Sequence, residues 1–205
     1  MTEEKLNLNY TLWVDMLKKY DCYSDEMISD IGDKLKVASF SLTTTTGSAY
    51  EGSMIDTVLN HLCVIAYHIN EDAFGFNNKH LYKHPRLKVN IRMLMRVLLL
   101  QHISKAEIFK PSDSQWKIKN GALYEFNDEL QSILKTGERS IFLCQKYGIK
   151  LAEEEFEAMR IIDKEEDLKN NSFINPLCLI VKIANQLTAI EVYRNNIKTK
   201  EILEK

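Results

Sequence analysis

Residues 53–74, "SMIDTVLNHLCVIAYHINEDAF", contain neither glycine nor proline, and their apolar side chains fall at 54, 55, 58, 59, 62, 65, 66 and 69. That spacing draws a wide stripe down one side of an α-helix and fits no alternating strand. A second such segment, "LKVNIRMLMRVLLLQHI", carries the uncharged run Val97 to Leu100 and is read as a buried helix with that run deepest. The whole chain of 205 residues has only seven glycines and three prolines. Turn punctuation is therefore sparse, which favours helices over many short strands. The expected fold class is all-α.

Shorter signals frame these two helices. "LNYTLWVDMLKKY" and "YSDEMISDIGDKLKVAS" predict two opening helices, the second with Ser24 as N-cap ahead of Asp25 and Glu26, whose charges suit a helix N-terminus. The threonine run of "SLTTTTGSAYEG" is the clearest break. "GFNNKHLYKHPR" reads as a loop. Residues 110–128 read as an irregular insert, with a small hairpin across "QWKIKNGALYEF" turning at Asn120-Gly121. Helix is expected to return in "ELQSILKTGERSIFLCQKYG", bent near Gly137 and ended near Gly148, and again in "KLAEEEFEAMRIIDK". A last long helix should start with Pro176 near its first position. The expected layout is residues 1–44 as N-terminal helices packed on a core domain of 45–195, followed by a polar tail at 196–205.

Composition narrows the function classes. A chain of this length can bury one substantial core, and 45% apolar with 27% charged residues is globular rather than disordered. A net charge of -2 with interspersed Lys and Glu gives no nucleic-acid signal. Lys79, Lys83, His84, Arg86, Lys88, Arg92 and Arg96 lie close in sequence, where a solvated face is the ordinary reading of such charges. Cys22, Cys63, Cys144 and Cys178 form no CxxC and read as buried thiols in a reducing compartment. "MTEEKLNLNY" lacks the basic and apolar regions of a signal peptide, and no run approaches the roughly 20 apolar residues that span a bilayer. The expectation is a soluble protein with no membrane partner.

The order of "SAYEGSMIDTVLNH", "VLLLQHISKA", "LKTGERSIFLCQKYGIKLAEEEFEAMRII" and "LCLIVKIANQLTA" resembles the core helices of the HD-domain superfamily, in particular compact HD phosphohydrolases of bacteria and phages. Ala49-Tyr50, Gly52, Leu99-Leu100, Ile103, Lys105, Gly137-Glu138-Arg139-Ser140, Leu151, Glu154-Glu155, Ala158 and Ala184 match its framework. The family's metal ligands do not match. Its first His corresponds to Thr57, its His-Asp pair to Gln101-His102, its third and fourth His to Thr136 and Ile162, and its last Asp to Asn185. An HD centre holds divalent cations through imidazoles and a carboxylate and uses them to activate water. Neutral amides are weak substitutes and Ile supplies no donor at all. The resemblance thus implies an HD-like helical bundle without catalytic residues, bound metal or cofactor.

Other candidates have ordinary readings. His61 and His68 share a helix without a third ligand at metal spacing, so each reads as partly exposed or hydrogen-bonded. His80 and His84 have i, i+4 spacing but sit in a loop-like stretch before Pro85. Asp163, Glu165, Glu166 and Asp167 read as a solvated acidic cluster. No Ser or Cys has a nucleophile elbow, and no Walker pattern accompanies the threonine run. Trp13, Trp116, Tyr124 and Phe126 include possible anchors, with the insert around Trp116 the place to look for a partner surface.

The leading expectation is a non-catalytic, HD-like protein acting through protein–protein contact as a structural or adaptor component of a larger assembly. Lysine well above arginine, with much Asn and Ile, suits an AT-rich genome such as a phage's, so a virion location stands beside a cytoplasmic one. Two alternatives remain open. One is a metal-dependent nucleotide phosphohydrolase, and the other is a nucleotide sensor without turnover whose pocket is lined by Thr57, Gln101, His102, Thr136 and Asn185.

Overall fold

The computed structural model describes residues 1–72, 89–130, 132–163 and 175–203. Helix α1 (Glu3–Lys19) is capped by the Thr2 hydroxyl, and its buried Asn9, Trp13 and Leu17 recur every four residues. Helix α2 (Asp25–Val37) has the expected Ser24 cap, whose side chain accepts the Met27 N–H, and buries Met27, Ile31 and Leu35. A single 3₁₀ turn occupies Thr44–Thr46. Gly52 then turns the chain with φ +75°, where a Cβ would lie 2.1 Å from the Leu6 side chain and 2.6 Å from Met1. Both the backbone angle and the close approach of α1 require glycine there.

The helix read across residues 53–74 is not uniform. It opens as α3 (Ser53–Thr57), widens into a π turn (Val58–Leu62) and continues as α4 (Cys63–Asp72). The Cys63 N–H bonds the Val58 carbonyl, five residues back. The wider turn rotates the downstream face, so that Met54 and Ile55 before it, Val58 and Leu62 at its ends, and Cys63 and Ala66 after it all reach the core. Helix α5 (Ile91–Leu100) lies at the centre, touching α1, α4, α9 and α10. Its Val97, Leu98, Leu99 and Leu100 are essentially inaccessible, as expected from the uncharged run.

After α5 come α6 (Lys105–Ile108), β1 (Phe109–Pro111), α7 (Gln115–Lys119) and β2 (Tyr124–Phe126). The two short strands are antiparallel, with Phe109 opposite Phe126 and Pro111 opposite Tyr124. This corrects the expected hairpin. Asn120-Gly121 does not turn two strands but ends α7, where Asn120 donates back into the helix and Gly121 adopts φ +80°. The strands that pair lie further out along the chain. The expected helix from Glu129 is also corrected, because α8 begins only at Thr136 and runs to Lys146.

Helix α9 (Glu153–Arg160) starts with three glutamates, and the Glu155 carboxylate accepts the Ala152 N–H at 2.8 Å. Helix α10 (Pro176–Leu203) begins at Pro176 as expected, packs on α4, α5 and α9, and carries the polar tail expected from residue 196 as helical backbone. The fold is all-α with one small two-stranded insert. No helix among the described residues is long and apolar enough to cross a membrane. The four cysteines are buried and free, and burial pushes the thiols of Cys22, Cys63 and Cys144 up to about 12.

Candidate functional site: a buried polar cluster around His102

Leu100 ends α5 and Lys105 begins α6, so residues 101–104 form a tight corner whose backbone groups need partners. Ser140 on α8 supplies two: its hydroxyl accepts the Ser104 N–H at 3.2 Å and donates to the Gln101 carbonyl at 3.0 Å. The Ser104 hydroxyl in turn donates to the Thr136 carbonyl at 2.8 Å. One residue before Ser140, Arg139 grips the Glu107 carboxylate through Nε at 2.9 Å and Nη2 at 2.6 Å. The "GERS" segment thereby clamps the corner from one side. Gly137 fits beneath it because a Cβ there would meet the Met159 carbonyl at 2.3 Å.

The corner aims two side chains in different directions. Gln101 turns toward α10 and forms a reciprocal amide pair with Asn185, with N···O distances of 3.4 and 3.2 Å. His102 turns toward Phe40, whose ring meets the imidazole edge-on with centroids 4.8 Å apart. The imidazole is 6% exposed and neither ring nitrogen has a hydrogen-bond partner. Burial, and then the nearby Lys105 charge, hold its pKa well below the usual value, so it is neutral. The Asn185 amide opposes that shift without reaching hydrogen-bond geometry.

Lys105 is the second unusual group. It is 8% exposed, donates from Nζ to the Phe40 carbonyl at 2.6 Å, and holds its ammonium 3.5 Å from the Phe40 ring centroid. Burial lowers its pKa to about 7, with the Asp163 charge pulling the other way. Asp163 itself accepts the N–H groups of Gly137 at 2.5 Å and Glu138 at 3.3 Å, capping the start of α8. Burial raises its pKa.

Thr57 is buried in α3, Thr136 opens α8 and borders a separate cavity with Lys135 and Asp163, and Ile162 is half-buried after α9. The site joins Gln101, His102 and Asn185, and the Thr136 carbonyl accepts the Ser104 hydroxyl at the same corner. His61 Nδ1 stands 3.5 Å from the Glu191 carboxylate, and His68 packs on Tyr67. His80, His84 and Glu165 to Asp167 fall outside the described residues, as do Lys79, Lys83, Arg86 and Lys88. Arg96 departs from the solvated face expected of this group, since it points inward to Glu155 at 2.6 Å. Among the described residues, no group of three or more His, Cys, Asp or Glu is placed to hold a metal ion.

Sequence reasoning missed Phe40 and Thr188. Thr188 on α10 is 2% exposed with its hydroxyl unpartnered, and it borders a cleft of about 780 Å³ together with Phe40. Phe40 forms a wall between that cleft and the Lys105 ammonium.

Lys105 gives a pH signature. Between its folded pKa of about 7 and the ordinary 10.5, the unfolded chain holds a proton that the folded chain has released, so stability rises with pH. The buried thiols have raised pKa values and oppose this above about pH 9, which confines the clean window to about pH 7–8.5. In urea titrations the Lys105→Met variant should lose the rise that the wild type shows. Its slope approaches at most about 1.4 kcal/mol per pH unit. Parallel curves for the two proteins would show that Lys105 is an ordinary lysine.

Comparisons with protein-family models, curated proteins and solved structures found no match to this chain.

Proposed function

We propose that this protein is a non-catalytic, HD-like helical module that works by protein–protein contact, as a structural or adaptor component of a larger assembly such as a phage virion. The observation that carries the reading is the insert after α6. It presents Trp116 at 74% exposure and Phe126 at 65%. We read these large apolar side chains, held in water on an ordered support, as an interaction surface.

The support is well built. Lys117 bonds Glu125 at 2.9 Å, Ser112 bonds the same carboxylate at 3.0 Å, and Lys110 pairs with Asp128 at 2.6 Å. The Thr44 N–H donates to the Gly121 carbonyl and the Tyr124 N–H to that of Leu42, tying the insert to the segment before α3. A preorganised surface loses little entropy on docking. The non-catalytic part of the reading draws on Gln101 and Asn185, which stand where the HD resemblance expects ligands yet spend their amides on each other. The phosphohydrolase alternative gains nothing from such a donor set.

A photo-crosslinking residue placed at 116 in the native source should capture a defined partner, whereas the same group at Glu26 should not. The double variant Trp116→Ala, Phe126→Ala should keep the wild-type melting temperature and lose the association. Equal labelling at both positions, with strictly monomeric sedimentation at every concentration, would remove the proposal.

A further inference from the structure

The insert carries a knob and, beside it, a hole. The knob is Trp116 on α7, 74% exposed, on a helical turn that Ser114 caps and that Lys117 ties to Glu125. The hole is an open groove of about 600 Å³ between the end of α2 and the insert, with Val37 on one side and Ala106, Phe109, Pro111, Tyr124 and Leu130 on the other. Pro111 and Tyr124 are register partners in the two strands that α7 joins, so knob and hole share one support. Trp116 does not line the groove of its own chain. Two charged groups on the walls are already committed, since Arg139 grips Glu107 and Lys110 pairs with Asp128. Lys34, also on the wall, lies one turn after Asp30 on α2. Glu51 is different. It is exposed, forms no salt bridge among the described residues, and sits near enough to the Tyr124 phenol that its charge, after burial, raises the phenol's pKa. The knob has an exposed lysine of its own, Lys119, one turn beyond Trp116 on α7. An indole beside an ammonium therefore complements an apolar groove beside a carboxylate.

Resting on the docking role proposed above, we infer that the partner is a second copy of this chain: across a twofold axis each Trp116 enters the other copy's groove, and each Lys119 meets the other copy's Glu51. The contact is isologous, so every interaction is made twice. Knob and hole lie side by side on one insert, which lets a single axis satisfy both. Covering an indole removes roughly 200 Å² from water. Two indoles with the groove walls they cover come to roughly 800 Å², below the size of a permanent interface and suited to a weak, reversible dimer. The two Lys119–Glu51 pairs lie at the rim, where they set register and partner choice more than affinity.

Sedimentation of the purified full chain tests this without any other protein. The wild type should pass from monomer to dimer over about 10–100 μM, as suits so small an interface. Trp116→Ala removes the knob, and Val37→Lys obstructs the hole from an exposed position at the end of α2, where a cation is tolerated. Each variant alone should stay monomeric with the circular dichroism of the wild type. Mixed, they should associate weakly, because the intact knob of one fits the intact hole of the other. Glu51→Lys should raise the dissociation constant about tenfold, since two attractions become repulsions. Adding Lys119→Glu to it should restore the wild-type value. A dimer that survives Trp116→Ala, or two monomeric variants that ignore each other when mixed, would overturn the inference. So would a wild type that stays monomeric throughout, and the docking role would then stand only if residue 116 still captured a different protein in the native source.

Discussion

Replacing Arg96 by alanine should lower the unfolding free energy by about 3–5 kcal/mol, the usual cost of leaving one partner of a buried ion pair behind. Arg96 reaches across three parts of the fold. Its Nε holds Glu155 at 2.6 Å, Nη1 bonds the carbonyls of Tyr20 and Asp21, and Nη2 bonds that of Lys150. The Glu155 carboxylate is almost inaccessible and also accepts the Ala152 N–H, so the loss of Arg96 leaves a buried charge without its partner. Equilibrium denaturation measures that loss directly. Arg96→Lys should recover only part of it, because an ammonium cannot reach the carboxylate and the carbonyls on both sides at once. A loss below about 1 kcal/mol would mean that the pair is solvated and contributes like a surface bridge.

Trp13→Ala should cost a similar amount, about 3–5 kcal/mol, for a different reason. The indole is fully buried between α1 and the centre of the fold, beside Leu17 and against α5. Its Nε1 donates to the Leu99 carbonyl at 3.3 Å. Truncation leaves a cavity and an unpaired carbonyl together. Trp13→Phe separates the two contributions, since it keeps most of the volume and loses the donor. It should cost clearly less than the alanine variant. If both variants melted near the wild type, α1 would be a dispensable appendage rather than part of the core.

Much of this architecture was legible because it rests on local chemistry. The Ser24 cap, the acidic first turn of α9 and Pro176 at the start of α10 each act within a turn of helix, so residue type alone places them. The burial of Val97 to Leu100 followed from a run that contains no group able to face water. The insert was harder. Asn120-Gly121 suits a hairpin turn and a helix end equally well, and the choice fell to Ser114, which caps the single turn of α7 by accepting the Lys117 N–H. The π turn at Val58–Leu62 left no trace in the spacing, since apolar residues flank it in both registers.

The candidate site divides in the same way. That Gln101, Thr136 and Asn185 are poor metal donors is a property of their atoms and needs no coordinates. That Gln101 and Asn185, 84 positions apart, meet as a pair is decided only by the packing of α10 against the end of α5. Phe40 and Thr188 carry no chemical signature in the chain, yet burial makes one a wall and the other an orphaned hydroxyl. Periodicity and residue chemistry determine which segments are helical and which side chains seek the interior, because those preferences act over a few neighbouring residues. Which polar groups end up buried without partners is a matter of distant helices meeting, and tertiary structure alone decided it.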